Sequence, residues 1–196
     1  MKGKFIVFYG INNLGKTTQA KKLVSYLNER SLEAEYLKYP VYDLEPTGPF
    51  INKVLRGSEK QEIAEEELQL WYVLNRFQYE PVLKNKLEQG VFVVAEDYSG
   101  TGVAWGTAKG ADEEWLINLN KPLLKEDVAI LFDGERFMQA KEANHLHESN
   151  DELMNKCRQV HLELGEKLGW KKVNANGSID YVFERVLEIL KEEGIL

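Results

Sequence analysis

Cysteine is nearly missing from this chain: Cys157 is the only one in 196 residues. A single thiol builds no internal disulfide framework, so a reduced, cytoplasmic setting is expected. Long apolar runs are missing as well, and no stretch approaches the ~20 residues a membrane-spanning helix needs. Met1-Lys2-Gly3-Lys4 leads straight into a short apolar run rather than a signal-peptide core. There is no surplus of positive charge either: 25 Lys and Arg stand against 32 Asp and Glu, for a net charge of −7. The basic residues are dispersed, which argues against a nucleic-acid partner, as the apolar pattern argues against a membrane. Histidine is scarce, and His145-x-His147 has no cysteine or further histidine nearby to complete a metal site.

What is present is an ordinary soluble mixture, 43% hydrophobic and 29% charged, at a length that suits a single domain over 1–196. Three short apolar runs, 5–9, 91–95 and 128–132, are continuous rather than alternating. That is the pattern of strands buried on both faces of a parallel sheet. Two more polar strands are expected at 35–39 and 170–174. Helical patterns at 16–30, 61–75, 80–89, 151–168 and 178–193 fall between them, with Gly90 as a C-cap and 41–48 as a proline-bounded loop. The expected fold is α/β: a three-layer, doubly wound, parallel five-stranded sheet flanked by helices. The polar segment near 134–150 is expected to act as a lid.

Gly10-Ile11-Asn12-Asn13-Leu14-Gly15-Lys16-Thr17 matches G-x-x-x-x-G-K-[ST] in full, between an expected strand and an expected helix. The glycines let the backbone curl so that successive N–H groups converge on phosphate oxygens at a helix N-terminus. Lys16 supplies charge to the β- and γ-phosphates, and the Thr17 hydroxyl is a ligand for Mg²⁺. ATP-binding is therefore assigned to Gly10, Asn12, Asn13, Leu14, Gly15, Lys16, Thr17 and Thr18, with ATP and Mg²⁺ as cofactors.

Further along, Leu37-Lys38-Tyr39-Pro40, Leu70-Trp71-Tyr72-Val73-Leu74-Asn75-Arg76, Glu96-Asp97-Tyr98 and Thr101-Gly102-Val103-Ala104-Trp105-Gly106 follow in an order and spacing that resembles the thymidylate kinases. The likeness runs over nearly the whole chain. It implies transfer of the γ-phosphoryl of MgATP to dTMP, with dUMP also open, since one methyl is worth only about 1–3 kcal/mol in an apolar pocket. It also implies a homodimer with small nucleotides as its other partners. By the resemblance, Tyr72 lies against the pyrimidine and Arg76 donates to a base carbonyl. Thr101 and Trp105 shape the base pocket, Lys38 meets the acceptor phosphate, and Asn12, Tyr39 and Tyr98 complete the substrate site. Glu96 joins Thr17 at the metal, and Lys16, Glu96, Asp97 and Lys141 form the catalytic set. Plain core packing is the alternative for Tyr72 and Trp105, and an ion pair with Glu80 the alternative for Arg76.

Four features depart from the family pattern. Asn12 stands where an Asp is usual, and Tyr9 where a Glu is frequent before the loop. Glu96-Asp97-Tyr98 replaces Asp-Arg-Tyr, so Asp97 reverses the charge where an arginine would grip the acceptor phosphate. That leaves three outcomes: Asp97 points elsewhere, acts through the metal, or is offset by Lys38 or Arg56. The segment 134–150 carries Lys141 where the lid's first arginine would fall, with His145 and His147 in place of the next. These departures keep two other readings open: a deoxynucleoside kinase using Glu45 or Glu96-Asp97 as a base, and a nucleotide-binding protein with little catalysis.

Overall fold

The computed structural model describes residues 2–56, 63–135 and 151–196. Five strands form one all-parallel sheet: β1 (Phe5–Tyr9), β2 (Ala34–Lys38), β3 (Phe92–Glu96), β4 (Val128–Asp133) and β5 (Lys171–Asn174), in spatial order β2-β3-β1-β4-β5. The continuous apolar runs divide by strand period between two cores. Ile6, Phe8, Val94 and Phe132 pack with Leu23, Leu27, Val186 and Leu190. Their neighbours Phe5, Val7, Val93 and Leu131 turn to the other face and pack with Leu83 and Leu87. Burial on both faces is why these strands carry no polar alternation.

Seven helices are described. They are α1 (Lys16–Asn28), α2 (Thr47–Arg56), α3 (Glu65–Glu88), α4 (Ser99–Ala108), α5 (Glu113–Asn120), α6 (Asp151–Leu168) and α7 (Ile179–Glu192). The two helices expected at 61–75 and 80–89 are one, since α3 runs through Pro81, whose ring sits on the exposed side. There the carbonyl that loses its N–H partner faces water, so the proline is tolerated. Gly90 follows α3 with φ 93°, a left-handed C-cap position, and its N–H donates to the Leu87 carbonyl at 3.2 Å. Helices α2, α4 and α5 were not expected. Each is short; α4 carries three glycines that hide a helical period, and α2 opens on Gly48-Pro49.

The turn between β2 and α2 is pinned from behind. Asn75 on α3 is fully buried; its Oδ1 accepts from Val41 N at 2.7 Å and its Nδ2 donates to Val41 O and Thr47 Oγ1. The ends of β1, β2 and β3, the phosphate loop and the start of α4 thus converge at one edge of the sheet, where parallel α/β folds hold ligands. The lid segment expected near 134–150, with Lys141, His145 and His147, lies outside the described residues from 136 onward.

Candidate active site

The loop 10–15 closes onto α1 as the motif requires. Gly10 (φ 124°), Asn13 (φ 65°) and Gly15 (φ 77°) hold left-handed backbone. A Cβ on Gly10 would lie 2.4 Å from the Phe132 carbonyl oxygen, so only glycine fits there. Lys16 is nearly buried and folds back over the loop, donating to the carbonyls of Gly10 (2.8 Å) and Ile11 (2.9 Å). These are the bonds a phosphate would replace.

Glu96 closes β3 directly opposite. It is 1% exposed and accepts from the Thr17 hydroxyl with both oxygens, at 2.8 and 3.1 Å, and from the Tyr36 hydroxyl. Parallel register pairs Lys38 with Glu96, which brings Lys38 Nζ to 3.7 Å from the carboxylate. Burial, then Glu96 itself, pushes the Tyr36 phenol far above its usual range, so it stays a donor. Asp97 has φ 64° and turns its carboxylate toward Lys16, with Oδ1 3.5 Å from Nζ. The contact is an ion pair without hydrogen-bond geometry. Of the three outcomes for the reversed charge, this is none in pure form: Asp97 faces the site, and Lys16 is the cation beside it.

From this edge a cavity of about 350 Å³ runs toward α3 and α4. Asn12, Asn13, Leu14, Gly15, Thr17 and Thr18 line its loop end, and Lys38, Tyr39 and Arg56 its flank. Tyr72, Arg76, Thr101 and Trp105 stand at the far end. Arg76 is 4% exposed and makes no ion pair with Glu80. Its Nη1 donates to Asn120 Oδ1 and its Nη2 to the Tyr98 carbonyl, both at 3.0 Å, with Tyr72 and Tyr98 rings 6.0 Å from its guanidinium carbon. Burial lowers the Arg76 pKa from its ordinary value. Glu80 instead meets Lys84 and the Leu124 N–H.

Tyr98 has its ring buried against Phe5 and Tyr39; its hydroxyl donates to the Leu124 carbonyl, and its own carbonyl accepts from Arg76. Tyr9 also finds an explanation. It stacks on Trp170 with ring centroids 4.1 Å apart and donates to Glu126 at 3.0 Å, away from the nucleotide edge. Four residues went unread in the sequence. Glu65, Gln69, Gly102 and Lys109 line the far end of the cavity. Lys109 Nζ lies 2.7 Å from Glu65 Oε2, and Gln69 Nε2 lies 2.7 Å from Glu65 Oε1. Only the four-residue spacing of Glu65 and Gln69 could have hinted at the pair.

The donor set suits a hard divalent ion. The Thr17 hydroxyl and the Glu96 carboxylate present oxygen ligands at the start of α1, and among the described residues no group of three His, Cys, Asp or Glu forms a cage. Mg²⁺ is held in this manner, by one or two protein oxygens together with substrate phosphates.

A parallel sheet with the 2-3-1-4-5 order and a strand–loop–helix phosphate cradle define a P-loop nucleotide kinase. The thymidylate kinase family profile matches residues 8–186. The thymidylate kinase of Caenorhabditis elegans is 30% identical over 96% of this chain and 90% of its own length. Those of Dictyostelium discoideum and Homo sapiens are each 29% identical, over 98% and 99% of this chain and 86% and 92% of their own lengths. Among solved structures, thymidylate kinase from Candida albicans superposes with a TM-score of 0.86 at 23% identity, covering 98% of this chain and 93% of that one. The chain belongs to the thymidylate kinase family.

Proposed function

We propose that this chain transfers the γ-phosphoryl group of MgATP to the 5′-phosphate of dTMP, and accepts dUMP at lower efficiency. The observation that carries the reading is one continuous cavity joining the complete phosphate loop to the Tyr72–Arg76–Trp105 end. A 5′-nucleotide held by its ring at one end points its phosphate back toward the loop. Lys16 leaves the Gly10 and Ile11 carbonyls to follow the transferring group. Mg²⁺, when bound, would supply charge neutralisation on the triphosphate. Thr17 and Glu96 orient that ion, and Asn12 to Thr18 hold the triphosphate through main-chain N–H groups. Lys38 and Arg56, both on the cavity flank, take over the grip on the acceptor phosphate that the family's arginine supplies. Tyr72 stacks on the pyrimidine, Arg76 donates to its carbonyl, and Thr101 and Trp105 bound the ring edge. Lys141 adds charge from the lid.

No strong general base is needed, because the acceptor is already anionic. The nucleoside-kinase alternative fares worse. Glu45 is exposed and away from the cavity, and Glu96 is fully engaged by Thr17, Tyr36 and Lys38.

The protein acts as a single domain and as a homodimer. On α3, Leu70, Leu74 and Phe77 are 43%, 48% and 38% exposed and lie on one face by their spacing. An apolar helical stripe left to solvent suits burial against its own copy. A cytoplasmic site agrees with one buried, unpaired thiol at Cys157. No helix among the described residues is long and apolar enough to cross a membrane.

ADP release from MgATP, measured with dTMP, dUMP, thymidine and no acceptor, tests the assignment. Release that follows dTMP supports it. Release with thymidine alone transfers it to nucleoside kinase chemistry, and none with any acceptor refutes phosphotransfer.

A further inference from the structure

Nine buried side-chain atoms among the described residues have no hydrogen-bond partner, and six of them belong to residues that line the nucleotide-site cavity: Asn13, Tyr39, Gln69, Arg76, Asp97 and Thr101. Buried polar groups are rarely left unmet without cause. Three of these six, the Gln69 Oε1, Arg76 Nε and Thr101 Oγ1 atoms, come from residues at the base end. Gln69 is 0% exposed, and the orientation of its amide is set by chemistry rather than by choice. Its neighbour Glu65 can only accept, so the amide nitrogen faces Glu65 Oε1 at 2.7 Å and the oxygen must face the other way. Lys109, 2.7 Å from the second Glu65 oxygen, holds that carboxylate in place. The result is an acceptor-only atom beside a donor-only guanidinium. A Cβ on Gly102 would lie 3.0 Å from Gln69 Oε1 and 2.9 Å from Arg76 Nη2, so glycine keeps both groups clear of a side chain at that point.

We propose that Gln69 is a specificity-determining residue that reads the ring N3–H of a 2,4-dioxopyrimidine, with Glu65 and Lys109 as positioning residues for its amide. The proposal rests on the acceptor being a pyrimidine nucleotide, as argued above. Thymine and uracil offer an acceptor at O4 next to a donor at N3. Arg76 meets the first and Gln69 the second, while Thr101 is left to serve O2. Cytosine reverses both positions: its exocyclic amine would face the arginine, and its bare N3 would face the glutamine oxygen. A site that has buried a fixed donor and a fixed acceptor discriminates strongly against the reversed pattern, since both are left unpaired. Guanine shares the O6/N1–H order, so its exclusion falls to the space between Tyr72 and Trp105.

The test combines equilibrium binding of dTMP and dCMP, by calorimetry, with MgATP-dependent ADP release for each, in wild type, Gln69→Leu and Glu65→Gln. Wild type is expected to favour dTMP over dCMP by about 100-fold or more. Gln69→Leu should weaken dTMP by at least about 10-fold, chiefly in KM, and leave dCMP within about 3-fold. Glu65→Gln removes the acceptor-only partner and lets the Gln69 amide turn over, so the dTMP:dCMP ratio should drop by about 5-fold or more even if Gln69→Leu folds poorly. Equal weakening of both nucleotides in Gln69→Leu, or an unchanged ratio in Glu65→Gln, overturns the proposal. Wild type that prefers dTMP in binding but releases no ADP refutes the phosphotransfer reading and leaves the base readout standing. Wild type that binds neither nucleotide overturns both.

Discussion

Replacing Asp97 by Asn isolates the effect of the reversed charge. Asparagine tolerates the left-handed φ of 64° as readily as aspartate, so backbone and shape are kept while one negative charge is removed. Lys16 Nζ lies 3.5 Å from Asp97 Oδ1, and the two side chains are 5% and 15% exposed. At an effective dielectric of about 20, a pair at that separation is worth roughly 5 kcal/mol before desolvation is charged against it. Water reaching Asp97 and the cost of burying both ions cancel most of this, leaving about 1–2 kcal/mol net. In the nucleotide-free protein that net energy holds Lys16 back from a phosphate. Asp97→Asn should therefore bind metal-free ATP about 5–30-fold more tightly, at about 1.4 kcal/mol per tenfold. The gain should shrink in the presence of Mg²⁺, because Asp97 follows Glu96 directly and its charge favours a cation at the Thr17–Glu96 pair. Calorimetric titration with ATP in EDTA and then in Mg²⁺ reads both. Unchanged or weaker metal-free binding would refute the idea that Asp97 restrains Lys16.

Glu96→Gln removes the charge that faces Lys38 and one of the two acceptor oxygens that Thr17 uses; melting should show about 1–3 kcal/mol of lost stability, and steady-state assay a loss of turnover of about 100-fold or more. Gly102→Ala places a methyl within 2.9–3.1 Å of Arg76 and Gln69; the KM for dTMP should rise about 10-fold or more with kcat little changed, as expected for lost uniform binding. His161 is buried, and desolvation holds its pKa down to about 4. The unfolded chain takes up that proton near pH 6.5 while the folded one refuses it until about 4, so stability is full above 6.5 and falls on acidification, by up to about 3 kcal/mol. His161→Leu should flatten the pH 4–6.5 slope in denaturant melts; an unaltered slope assigns the acid sensitivity elsewhere. Leu74→Glu puts a charge in the exposed α3 stripe, and sedimentation should show a dimer for wild type and a monomer for the variant.

Much of the architecture was legible because its causes are local. The loop from Gly10 to Thr17 needs glycine where the backbone goes left-handed, and α6 shows the same 151–168 bounds in its sequence pattern and in the structure. Strands β1, β3 and β4 announce themselves by unbroken apolar runs, since both faces are covered. What was not legible depends on contacts from distant segments. Helix α4 has Gly100, Thr101, Gly102 and Gly106 in ten residues and reads as a loop. It is helical because those glycines admit Trp170, Arg76, Gln69 and Leu116 against its backbone. Tyr98 follows Glu96-Asp97 in the motif, and the resemblance implies a substrate role for it. Its side-chain direction, into Phe5 and Tyr39, is a matter of packing that the motif does not encode.

The base end was hidden for a further reason. Sequence patterns report what is stable in the folded chain alone, and the base end holds what is not. Gln69 sits at a buried helical position where periodicity calls for an apolar residue, with its oxygen unmet; Arg76 is buried with Nε unmet, and Thr101 with its hydroxyl unmet. An atom of this kind costs about 1–3 kcal/mol wherever neither protein nor water meets it. Glu65 and Asn120 leave these atoms unmet and fix the geometry by bonding the Gln69 amide nitrogen and Arg76 Nη1, while Lys109 holds the Glu65 carboxylate in place. A polar group that is fixed in place and unmet by the protein discriminates best between ligands. A glutamine in the wrong place for a core is therefore the sequence signal to look for, and it gains meaning once Gly102 and Arg76 are found facing it across the same cavity.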